Sequence, residues 1–190
     1  MRILIVFIVI ILASYFILRF VLAEPKNIPP DFLKARQQAS LIAQDIVNLS
    51  SNTAGNLDQV SKLDQEQKYT EALLLVSQEL ELNREAREKA INLSNQLQAM
   101  AQNLAQISPS SLGQKALQAV SSETTLISRL INYNDYLNQL LEKLQQKLLG
   151  KSTGDGIGEL VGKINDEAKA INDLNRQFND AMKEFDTSLF

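Results

Sequence analysis

From Pro30 onward the chain repeats apolar residues at intervals of three and four in four long runs, and almost nothing interrupts them. That spacing stacks the apolar side chains of each run along one face of a helix. The helix breakers sit between the runs. Pro25, Pro29 and Pro30 precede the first, Pro109 separates the second from the third, and five of the seven glycines fall within residues 150–162, around the start of the fourth. No stretch alternates with period two, so no sheet is expected.

The first helix begins at Pro30, because proline suits the first helical position. Its seam reads Phe32, Ala35, Ala39, Ile42, Ile46, Leu49, Thr53, Asn56, Val60 and Leu63. A break is allowed for near Ser51 to Gly55. The second seam reads Tyr69, Leu73, Val76, Leu80, Asn83, Arg87, Ala90, Ser94, Leu97, Ala101 and Leu104. Ser108 and Pro109 supply an N-cap and first position for the third helix, whose seam includes Ala116, Val120, Glu123, Ile127, Leu130, Asn134, Leu137 and Leu141. Gly150 stops it. The fourth runs from about Gly156 through Ile157, Val161, Ile164, Ala168, Ile171, Asn175, Phe178, Met182 and Phe185 to Leu189. The expected helices are 30–65, 68–107, 109–149 and 156–188. Short turns between long helices imply an elongated up-down-up-down four-helix bundle, and the near-3.5 repeat implies coiled-coil-like packing.

Residues 3–23 are different. They are apolar apart from Ser14, Tyr15 and Arg19, and as a helix they would span about 31 Å, enough for a hydrocarbon core. Arg19 can snorkel to the headgroups. The expectation is therefore an all-α protein with an N-terminal transmembrane signal-anchor over 1–23, a linker over 24–29 and the bundle over 30–190. This makes a single-pass membrane protein, partnered by the bilayer through residues 3–23, with the bundle on the extracytoplasmic side. The alternative is a cleaved signal peptide, with Ala23 before the cut and Glu24 as the mature N-terminus.

Composition narrows the chemistry. The chain has no cysteine, histidine or tryptophan, so it offers no disulfide, thiolate or imidazole chemistry. All 22 acidic residues, and all but two of the 19 basic ones, lie beyond Ala23, so that part carries a net charge of about −5. An acidic chain with no basic stripe is a poor nucleic-acid binder, and none is expected as a partner. No cofactor or metal is expected either.

The local motifs are weak. Gly150-Lys151-Ser152 matches the close of a phosphate-binding loop, but Gln145 stands where the first glycine belongs and a helix precedes it. Gly154-Asp155-Gly156-Ile157-Gly158-Glu159 lacks the alternating oxygens of a calcium loop, and helix capping by Asp155 or Gly156 explains it better. The sequons at Asn48 and Asn92 fall within expected helices. Lys68 to Leu73 resembles the start of a tetratricopeptide-type helix, without the repeat such arrays need. Glu123 on a seam suggests a buried carboxylate, but with no histidine the Glu-x-x-His di-metal arrangement is excluded.

The most informative constellation is polar. At 1.5 Å per residue, Asn56, Asn83, Arg87, Asn134 and Asn175, with Asn172, fall at about 31–39 Å along the four helices. They form a candidate layer of register-setting amides, or a pocket in which Arg87 binds a carboxylate and the amides and Tyr133 orient it. The leading expectation is a non-catalytic, membrane-anchored scaffold of the bacterial cell envelope that meets a protein partner or forms a homo-oligomer. Two alternatives stand beside it. One is a sensor-like bundle binding a small polar ligand at the Asn/Arg layer, an architecture that resembles the periplasmic part of chemoreceptors. The other is a secreted helical protein.

Overall fold

The computed structural model describes residues 28–188. They form five α-helices: α1 (Pro30–Ser50), α2 (Thr53–Gln65), α3 (Tyr69–Asn103), α4 (Ser110–Leu148) and α5 (Ile157–Thr187), with a short 3-10 turn at Leu104–Gln106. Helices α1 and α2 together fill the place expected for one helix. The break falls at Ser51 and Asn52, where the Ser51 hydroxyl donates to the Asn48 carbonyl at 2.9 Å. Such a back-bond competes with the helical ladder and bends it. Gly55 lies inside α2, beyond the break.

Two turns close the same end of the bundle in the same way. After α2, Gln67 takes a left-handed φ of 58°, and the Gln67 and Lys68 amides donate to the Asp64 and Leu63 carbonyls. After α4, Gly150 takes φ 68°, and the Gly150 and Lys151 amides donate to Lys147 and Gln146. Both are Schellman caps, which satisfy carbonyls that the helix end would leave open. At the other end α4 begins at Ser110, one residue later than expected, with Pro109 extended before it.

Neighbouring helices are antiparallel. Asp45 meets Lys89 and Asn56 meets Glu79, Asn83 meets Asn134, and Lys115 meets Ser188 while Arg129 meets Glu167. At the open end the ring closes from first helix to last. Phe32 and Phe185, both fully buried, pack with ring centroids 6.1 Å apart. The four seams thus meet within one chain as an all-α four-helix bundle.

The heptad is clearest on α3, where the buried residues are Ala72, Val76, Glu79, Asn83, Ala86, Ala90, Leu93, Leu97 and Met100. Their strict alternation of four and three is the signature of knobs-into-holes packing. It also corrects the expected α3 seam. Tyr69 and Ala101 are exposed, Leu73 and Leu80 only flank the core, and Ser94 faces outward. The helix turns its alanines inward because small residues let neighbouring backbones approach, and Glu79 comes in with them.

The membrane expectation is corrected as well. Among the described residues no helix is long and apolar enough to cross a membrane. Each helix carries charged residues along its outer face, which a hydrocarbon phase would not tolerate. Residues 1–23, which carried the transmembrane signal-anchor expectation, lie outside the described residues. The described residues therefore form a four-helix bundle in which no helix spans a membrane, and the bilayer partner, the single-pass localisation and the membrane-anchored scaffold are withdrawn.

Candidate ligand groove between α3 and α4

Half-way along the bundle the core turns polar. Glu79 is 1% exposed, yet among the described residues its only side-chain hydrogen bond comes from the Asn56 amide, which donates to Oε1. One turn on, Asn83 donates to the Asn134 carbonyl at 2.8 Å, and Asn134 donates back to Leu130 along its own helix at 2.8 Å. Asn83 on α3 and Asn134 on α4 thus meet directly in a buried polar layer, and Asn56 on α2 joins it through Glu79, one turn from Asn83. Burial and, secondarily, the Glu79 charge hold the Tyr133 phenol above its ordinary range.

Arg87 lies outside this layer. It is half-exposed, and its Nε donates to Asp135 Oδ1 at 2.6 Å. Asn175 is buried on α5, where it accepts a hydrogen bond from Asn179 at 3.3 Å. The buried Oδ1 of Asn172 has no hydrogen-bond partner. The sequence reading missed Glu79, which it passed over for Leu80. The 4-3-4 spacing of Ala72, Val76, Glu79 and Asn83 is the signal that could have found it.

The outer side of the layer opens into a groove of about 560 Å³ between α3 and α4. Ser77, Leu80, Glu81, Asn83, Arg84 and Arg87 line one wall, and Asp135, Asn138 and Gln139 the other. The α3 residues recur every three or four positions, which keeps them on one face. Asn83 belongs to both the buried layer and the groove lining. Arg84 donates to Glu81 at 2.5 Å, and Asn138 donates to Glu142 at 2.7 Å. Two guanidinium groups thus face two carboxylates, so the lining is charge-balanced and rich in amides. The Ser77 hydroxyl is engaged with the Leu73 carbonyl at 2.9 Å.

Other buried polar groups lie away from the groove. Arg36 and Asp186 pair through two hydrogen bonds of 3.1 and 3.0 Å, with the guanidinium also 5.9 Å from the Phe185 ring centroid. Glu123 on α4 is buried, and burial pushes its carboxyl up to about 7. Glu167 takes long contacts of 3.4 to 3.5 Å from Arg129 and Asn132. Among the described residues there is no cluster of three or more carboxylate, thiolate or imidazole groups placed to hold a metal.

The fold and groove define a helical bundle with a charged, amide-lined surface site. Comparison with known proteins finds no matching protein family, no matching curated protein and no matching solved structure.

Proposed function

We propose that this bundle is a binding module for a small polar ligand bearing a carboxylate, and that the groove between α3 and α4 is its site. The observation that carries the reading is the charge-balanced lining. Arg84 and Arg87 are already presented to carboxylates, and a guanidinium can exchange one carboxylate for another at little geometric cost. Asn83, Asn138 and Gln139 supply both donors and acceptors for the rest of a small molecule. Because Glu81 and Asp135 offset the arginines, the groove favours a compact ligand of mixed polarity over a highly charged anion.

We propose binding without catalysis. The one hydroxyl in the lining, Ser77, points its proton at a backbone carbonyl, and no base activates it.

The test is calorimetric titration of the full chain with a panel of small mono- and dicarboxylates. Binding of at least one member is expected, with loss of about tenfold or more in affinity for Arg87→Gln, the size of one charge-assisted hydrogen bond. Asp135→Asn frees the Arg87 guanidinium and is expected to tighten the same ligand. A panel that gives no heat, or an Arg87→Gln protein that binds as the parent does, removes this reading.

A further inference from the structure

Among the described residues four buried side-chain oxygens have no hydrogen-bond partner, Ser40 Oγ, Glu79 Oε2, Asn83 Oδ1 and Asn172 Oδ1, and two of them, Glu79 Oε2 and Asn83 Oδ1, share one helix. The residues that carry these two are 1% and 5% exposed. They stand four apart on α3, so one side chain lies directly above the other on the same buried face. The remaining polar atoms of both are committed. Glu79 Oε1 accepts from Asn56, and Asn83 Nδ2 donates to the Asn134 carbonyl, which fixes the orientation of the Asn83 amide and leaves its oxygen free. Among the described residues no lysine or arginine forms an ion pair with Glu79. A buried carboxylate without a counter-charge is costly, and each buried acceptor left without a donor adds its own desolvation. One positive guest with affinity for oxygen relieves all of these terms together.

We propose that Glu79 and Asn83 form an internal binding site for a monovalent cation, sodium or potassium, inside the bundle. The chemistry selects the class. The donors are a carboxylate and an amide oxygen, and such oxygen donors suit alkali and alkaline-earth ions. Calcium sites usually gather several carboxylates, whereas here a single negative charge is balanced by a single positive one. Neutralising Glu79 in this way would tie α2, α3 and α4 together at the point where their amides meet.

The site makes stability depend on the identity of the salt. The experiment is thermal unfolding of the full chain in sodium chloride, potassium chloride and choline chloride at equal ionic strength. Choline screens surface charge equally but is too bulky for the core. The expected result is a saturable rise in Tm of about 2–4 °C or more in one alkali salt over choline, the response to roughly 1 kcal/mol of binding for a chain of this size. Glu79→Gln keeps the shape and removes the charge, and it is expected to unfold at the same temperature in all three salts. Equal Tm values for the parent in the three salts overturn the proposal, because a buried water then suffices for both oxygens. A Glu79→Gln protein that keeps the alkali preference overturns it too. The salt series on the parent decides the matter even if the variant does not fold.

Discussion

At the open end of the bundle, Arg36 and Asp186 are both buried and bind each other through two parallel hydrogen bonds. Half-way along, Glu79 is more deeply buried than either, and an amide is its only side-chain donor among the described residues. The two regions share one helical repeat and one kind of neighbour, yet they treat a buried charge in opposite ways. The first pair is internally complete, and it fastens the first helix to the last. The second region is incomplete in itself, with oxygens left over beside a groove. The complete pair holds the bundle shut, and the incomplete region is where we propose that a guest binds.

The largest expected effect breaks the complete pair. Arg36→Ala leaves Asp186 buried and uncompensated and is expected to cost about 3–5 kcal/mol in chemical denaturation. Replacing both partners with apolar residues, Arg36→Met with Asp186→Leu, is expected to return stability to the parent level or above. A single variant as stable as the parent would show that the pair does not hold α1 to α5.

A second comparison sharpens the incomplete side. Glu123 is another buried carboxyl without a counter-charge, and burial raises it from 4.5 to about 7. The folded state therefore holds its proton more tightly than the unfolded chain. The resulting stabilisation is complete below about pH 4.5, falls as pH rises through 7, and is then gone, a change of about 3 kcal/mol. Glu123→Gln removes this dependence. Relative to the parent, the variant is expected to gain stability across that interval and to level off above it. Parallel stability–pH curves for the two proteins would show that Glu123 does not titrate between those limits.

The smallest effect concerns the twin turns at the closed end. Both need a left-handed residue, and one uses Gly150 where the other uses Gln67. A side chain with Cβ pays for that conformation, so Gln67→Gly is expected to stabilise by about 0.5–1 kcal/mol. Gly150→Gln should destabilise by a similar or larger amount. Urea midpoints of the two variants check the pair, and shifts of the same sign would contradict the shared geometry.

Much of this was legible in the residues. The turns near residue 66, before Ser110 and after Gly150 follow from local stereochemistry, which proline, glycine and apolar spacing report directly, whereas the first expected helix, 30–65, divides after Ser50. That Asn83 lies level with Asn134 was legible too, because helical rise converts residue number into height; that Asn56 bonds Glu79 was not. The rotation of α3 was not. Leu73 and Leu80 fit a three-four pattern as well as Ala72 and Glu79 do, and hydrophobicity alone favours the leucines. Only the space left by the neighbouring helices selects the alanines. The displacement of Arg87 from the layer to the groove follows from that rotation.

The sequence by itself determined that the chain is helical, where its helices turn, and how far along each one its amides lie. These depend on contacts a few residues apart. The tertiary structure decided which face of each helix turns inward, that Arg36 meets Asp186 across 150 residues, and that Glu79 is buried with no lysine or arginine paired to it among the described residues. Those outcomes depend on the packing of all four helices at once, because the free energy of a buried charge is set by what surrounds it in space.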